Sequence, residues 1–150
     1  MKRFMIFVLV LAAAFLTACN ASGDQAASGE TVSLLVSGGE TSQTYTRADL
    51  EALGASQATF NDVTYVGVSV GALLEDAGFN LDEVKAVKAV ASDGYTVNYD
   101  PAQVLAADVI VAYARADGDL VDDEGPFRMV LPGTEGKLNA RMLVELQVVK

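Results

Sequence analysis

Histidine is missing from this 150-residue chain, cysteine occurs once and proline three times. Without histidine no Ser-His-Asp or Cys-His relay can be assembled, and neither Ser69 nor Ser92 has an evident base beside it, so nucleophilic hydrolysis has no support. A single cysteine, Cys19, rules out an intramolecular disulfide. Basic residues are scarce, 10 against 20 acids, and a net charge of −10 argues against nucleic acid and anionic lipid surfaces as partners. No phosphate-cradling loop is present either: Gly38-Gly39 lacks the lysine and helix start that such a loop requires.

At the N-terminus, Lys2 and Arg3 precede an apolar run from Phe4 to Leu16, which has the length of a signal-peptide core and is too short to span a bilayer comfortably. Leu16-Thr17-Ala18-Cys19 follows and resembles the lipobox of bacterial lipoproteins. By that resemblance residues 1–18 are an export signal, and Cys19 becomes the lipidated first residue of an extracytoplasmic protein held by acyl chains rather than by a spanning helix. The alternative is an ordinary cleaved signal with an incidental cysteine. Asn20 to Glu30 is Ala, Ser, Gly and polar residues without apolar periodicity, so residues 19–30 comprise the lipidated cysteine and a flexible tether. Loss of Lys2 and Arg3 with the signal takes the net charge from −10 to −12. Residues 31–150 remain, enough for one domain with a modest core.

Within that domain the pattern alternates between short strands and short helices. Thr31 to Val36 reads as a strand, and Thr46 with Asp49 three positions on resembles a capping arrangement for a helix through Leu53, stopped at Gly54. Asn61-Asp62 between β-rich runs predicts a tight hairpin. Ser69 opens a second helix, whose Val70, Leu73, Leu74 and Ala77 fall on one face and which Gly78 ends. Strands follow over Val84 to Ala91 and Tyr95 to Tyr99, with Asp93-Gly94 turning between them. Asp100-Pro101 opens a short helix to about Ala107. Val109 to Ala114 is apolar enough for a central strand, and Met142 to Val149 closes the chain. This irregular order predicts a compact α+β domain with a mixed β-sheet and short helices, not a regular βαβ repeat.

The most distinctive stretch is Glu124-Gly125-Pro126-Phe127-Arg128-Met129-Val130-Leu131-Pro132-Gly133, a short strand between two turns that carries Arg128. The planar fork of Arg128 suits an anion, and equally one of the many nearby acids. Asp117, Asp119, Asp122, Asp123 and Glu124 form an acidic run whose oxygens suit calcium, but the spacing is not that of an EF-hand and such runs are usually solvated. Lys137 and Arg141 read as surface charges. Asp93-Gly94-Tyr95 reads first as a hairpin turn.

Three segments in order carry a family resemblance: Tyr65-Val66-Gly67-Val68-Ser69-Val70 leading to Leu73-Leu74 and Ala77-Gly78, then Ala91-Ser92-Asp93-Gly94-Tyr95, then Gly125 to Gly133. From about Val32 to Val148 the chain resembles, in shortened form, the molybdopterin-binding domain of sulfite-oxidase-type oxidoreductases. The resemblance implies a mixed α+β fold and makes Asp93, Gly94, Tyr95, Arg128 and Arg141 candidate ligand-binding residues. It also implies departures. Family enzymes ligate molybdenum through a cysteine in the segment that is here Ala58 to Val66, and none is present. The histidine that helps to bind the pterin in many members has no counterpart, and Arg141-Met142 stands where Lys-Trp is frequent. Two function classes follow. One is a non-catalytic binding module, with no catalytic residue, metal or cofactor expected, that meets a small ligand or an envelope protein. The other is a molybdopterin-dependent oxidoreductase or an accessory subunit of one.

Overall fold

The structure, a computed structural model, describes residues 31–150. The expected export signal, the expected lipidation at Cys19 and the expected tether lie outside the described residues. Among the described residues, ten strands form two five-stranded sheets. In the first, β1 (Ser33–Gly38) and the C-terminal β10 (Leu143–Val149) run parallel side by side, flanked by β2 (Thr41–Thr46) on one edge and by β5 (Ala86–Ala91) and β6 (Thr96–Tyr99) on the other. The second is antiparallel, in the order β3 (Ser56–Phe60), β4 (Val63–Ser69), β7 (Ile110–Arg115), with β8 (Gly118–Asp119) and β9 (Arg128–Val130) both pairing with β7. A mixed sheet within a compact α+β domain is what the sequence predicts.

Local chemistry explains most element boundaries. Thr46 accepts a hydrogen bond from the Asp49 backbone while the Asp49 carboxylate accepts one from the Thr46 backbone, a reciprocal cap that starts α1 (Arg47–Ala52). Ser69 caps α2 (Val70–Asp76) through Ala72 N–H, and Val70, Leu73 and Leu74 are fully buried beneath it. Asn61 and Asp62 both take left-handed φ, 49° and 63°, as a two-residue hairpin between β3 and β4 requires. Two elements differ from expectation. β2 is a polar edge strand whose residues Ser42 to Thr44 are exposed, so it has no apolar alternation to announce it. Helix α3 spans only Pro101–Val104, because the chain turns at once, with Val109 N–H bonded to Ala106 O, to enter the central strand β7.

One apolar core fills the space between the sheets and helices, with Leu34, Leu73, Leu74, Val87, Phe127 and Leu146 among its members. A smaller cluster of Ala58, Tyr65, Ile110, Ala112 and Val130 involves only the second sheet, with Phe60 and Val63 packed against it. The segment around β9 joins the two sheets: Met129 N–H bonds Ala140 O, Leu143 N–H bonds Phe127 O, and Met142 N–H bonds Glu124 O. The most distinctive stretch of the sequence is therefore a structural bridge.

Among the described residues, no helix is long and apolar enough to cross a membrane.

Candidate functional site

A cleft of about 350 Å³ opens beside that bridge, lined by Phe60, Asn61, Val63, Tyr65, Arg128, Gly136, Asn139 and Arg141. A second hollow of about 250 Å³ shares Gly136, Asn139 and Arg141 with it and adds Asp93, Tyr95 and Lys137. Four of the residues singled out in sequence, Asp93, Tyr95, Arg128 and Arg141, thus meet around one composite cleft. Gly94 serves the turn instead: its φ is +88°, and the Asp93 carboxylate accepts the Tyr95 N–H at 2.9 Å.

The wall opposite β9 is a turn from Pro132 to Ala140 that has little secondary structure and is held by side chains. Buried Asn139 accepts Leu131 N–H at 2.7 Å and donates to Thr134 Oγ1 and to Glu135 O. From the β5–β6 turn Tyr95 donates to Lys137 O at 2.7 Å, and from β6 Tyr99 donates to Leu138 O at 2.6 Å. Burial pushes the Tyr99 phenol above its ordinary pKa, so it remains a donor. Sequence reasoning missed Asn139, which carries no motif; its role depends on a turn that only the fold creates. We expect Asn139→Ala to cost about 1–3 kcal/mol, because the Leu131 N–H loses its acceptor in the interior, and to speed amide exchange across residues 131–140. A shift in the urea midpoint smaller than that of an ordinary surface substitution would contradict this role.

At the cleft floor lies a buried ionic network. Glu124, 3% exposed, pairs with Arg128 at 2.5 Å and with Arg115 at 2.9 Å, and accepts hydrogen bonds from Tyr65 Oη at 2.6 Å and Val121 N–H at 3.1 Å. Arg128, 4% exposed, also donates to Tyr65 Oη, with its guanidinium 4.6 Å from the Tyr65 ring centre and 5.9 Å from that of Phe60. Burial alone raises the Glu124 pKa, but hydrogen bonds from Arg115, Tyr65, Val121 and Arg128 outweigh it and hold the carboxyl at about 2. Of the two partners the sequence allows for Arg128, the structure supplies the acid.

Two more members of the acidic run are engaged: Asp119 pairs with Arg47, and Asp123 with Arg141. Among the described residues no three His, Cys, Asp or Glu side chains gather into a metal-binding group.

The family model for the oxidoreductase molybdopterin binding domain matches residues 25–150. The chain belongs to that family. Among solved structures, this molybdopterin-domain protein is similar to the sulfane dehydrogenase SoxCD from Paracoccus pantotrophus, with a TM-score of 0.68 and 22% identity over 78% of this chain. It spans 38% of that matched chain, and at this identity the likeness concerns the fold. No curated protein matches it in sequence.

Family membership implies a molybdenum-bearing pterin, and the cleft can be tested for it. Thiolate and imidazole donors are absent from residues 31–150, including β3 and β4, which carry Ala58 to Val66. The cleft cations, which a phosphate-bearing ligand would need, are each paired with a carboxylate: Arg128 with Glu124, Arg141 with Asp123 and Lys137 with Glu135. These residues do not fit the family cofactor.

Proposed function

We propose that this chain is a lipid-anchored, extracytoplasmic binding module that keeps the molybdopterin-domain fold without catalysing a reaction. The donor set of the cleft carries this reading: the family fold is kept and a cleft is present, but no thiol that would hold a metal lines it. No residue lining the cleft combines a nucleophile with a base, so an unaided reaction has no support there either. The anchor rests on Lys2 and Arg3, the apolar run and the Leu16-Thr17-Ala18-Cys19 sequence. Partners on this reading are the membrane, through acyl chains, and a small ligand or an envelope protein at the cleft; nucleic acid is not among them.

Two experiments test the reading separately. Cys19→Ala is expected to abolish the lipid-sized addition to the mature mass and to move the protein from the membrane to the soluble fraction; an unchanged distribution would remove the anchor. For the non-catalytic role, the purified protein is expected to reduce no artificial electron acceptor when given sulfite or a sulfane compound, and turnover above a protein-free blank would overturn it. The second reading, a molybdopterin-dependent oxidoreductase or an accessory subunit of one, draws on family membership and on the shortness of this chain beside its SoxCD match.

A further inference from the structure

Arg128 and Arg141 both line the cleft, and each already has a carboxylate partner, that of Arg128 buried and that of Arg141 exposed. Each is met by one of two consecutive residues of a single segment: Glu124 on Arg128 and Asp123 on Arg141, both at 2.5 Å. On the far side Lys137 is paired with Glu135 at 2.6 Å, and Asp93 adds a further carboxylate. The positive charges of the cleft are thus matched from within the protein.

The segment is also fastened where it stands. Met142 N–H bonds Glu124 O at 2.7 Å, and Gly125 has φ +73° and lies so close that a Cβ there would meet Met142 Cα at 2.7 Å. Met142 itself takes a left-handed φ of 52°, a conformation that costs a non-glycine residue about 1–2 kcal/mol. A strained residue directly after Arg141 persists because the surrounding contacts over-determine it. Displacing Glu124 from Arg128 would break a buried ion pair and the Tyr65 hydrogen bonds shared by both, so an incoming anion cannot cheaply take its place.

We propose that Asp123 and Glu124 act as a built-in counter-anion that sets the ligand class of the cleft: phosphate, sulfate-like and carboxylate groups are excluded from Arg128 and Arg141, and the ligand is uncharged where it meets them. This rests on the reading of the cleft as the ligand site of a binding module. It agrees with a cleft whose residues do not fit a phosphate-bearing cofactor.

The test is a titration of the purified protein with inorganic phosphate, followed by calorimetry and by the arginine Nε–H resonances, for the wild type and for Asp123→Asn. The Asp123 side chain is 67% exposed and lies outside the buried network, so this variant folds. The wild type is expected to show no saturable phosphate binding and unmoved Arg128 and Arg141 signals. Asp123→Asn is expected to gain a saturable phosphate-dependent shift of the Arg141 signal, with Arg128 unmoved. Saturable binding by the wild type at either arginine would overturn the proposal, and so would a folded Asp123→Asn protein that binds no more phosphate than the wild type. The two readings fail separately: molybdenum in the isolated protein removes the non-catalytic role, whereas phosphate on these arginines in the wild type removes the counter-anion.

Discussion

Glu124→Gln is expected to lower the stability of the fold by about 3–5 kcal/mol, because it leaves the buried Arg128 guanidinium without its charge partner. The shape of the side chain is kept, so the loss does not come from a cavity. Glutamine also replaces an acceptor oxygen with an NH₂ group, which cannot accept from Tyr65, Arg115, Val121 and Arg128 together as the carboxylate does. The effect has a pH signature. Glu124 titrates at about 2 in the folded chain and near 4.3 when unfolded. A depressed carboxyl pKa contributes stability that is fully present above the unfolded value and is lost as pH falls towards the folded one. The gap between wild type and variant should therefore be widest above about pH 4.5 and shrink by about 3 kcal/mol towards pH 2, as chemical denaturation across that range would show. A gap independent of pH would mean that packing, not the carboxylate charge, holds the bridge.

Gly67→Ala should be at least as damaging, with a loss of about 3 kcal/mol or more. Gly67 sits at a register shift in β4, opposite Ala112 of the central strand β7. A Cβ there would meet the carbonyl of Val111 and lie 2.6 Å from Ala112 Cα, both backbone atoms of fully buried residues in a central strand that cannot swing aside. Gly71, four residues on, is the control. Its added Cβ would meet only Leu81 Cδ1, at 3.6 Å, so Gly71→Ala places a better helix former in α2 and should raise stability by about 0.5–1 kcal/mol. Urea midpoints that move in opposite directions for the two alanines would support this packing; equal midpoints would contradict it.

These two residues mark what was legible in sequence. Gly67 belongs to the segment that carries the family resemblance, and the packing explains why glycine stands there without appeal to function. The hairpin at Asn61-Asp62 and the caps at Thr46 and Ser69 were readable because each depends on side chains within three residues of the turn or helix start. Strand β2 was not, since an exposed polar edge strand is defined only by its neighbour β1. At the site, sequence nominated Asp93, Tyr95, Arg128 and Arg141, and the fold brings them to one cleft. It could not decide which of several acids Arg128 would meet, because Glu124 reaches it across the Gly125-Pro126 turn and not along a helix. Asn139 and the left-handed Met142 were silent for the same reason: both answer to contacts made after the sheets are joined.

Native mass spectrometry of the mature protein, exported by a host that makes molybdopterin and paired with elemental analysis of the same sample, tests the central claim most directly. A mass equal to that of the chain and its lipid, with molybdenum far below one per chain, is the result predicted for a cleft without a thiolate and with its arginines already paired. One pterin and one molybdenum per chain would contradict it.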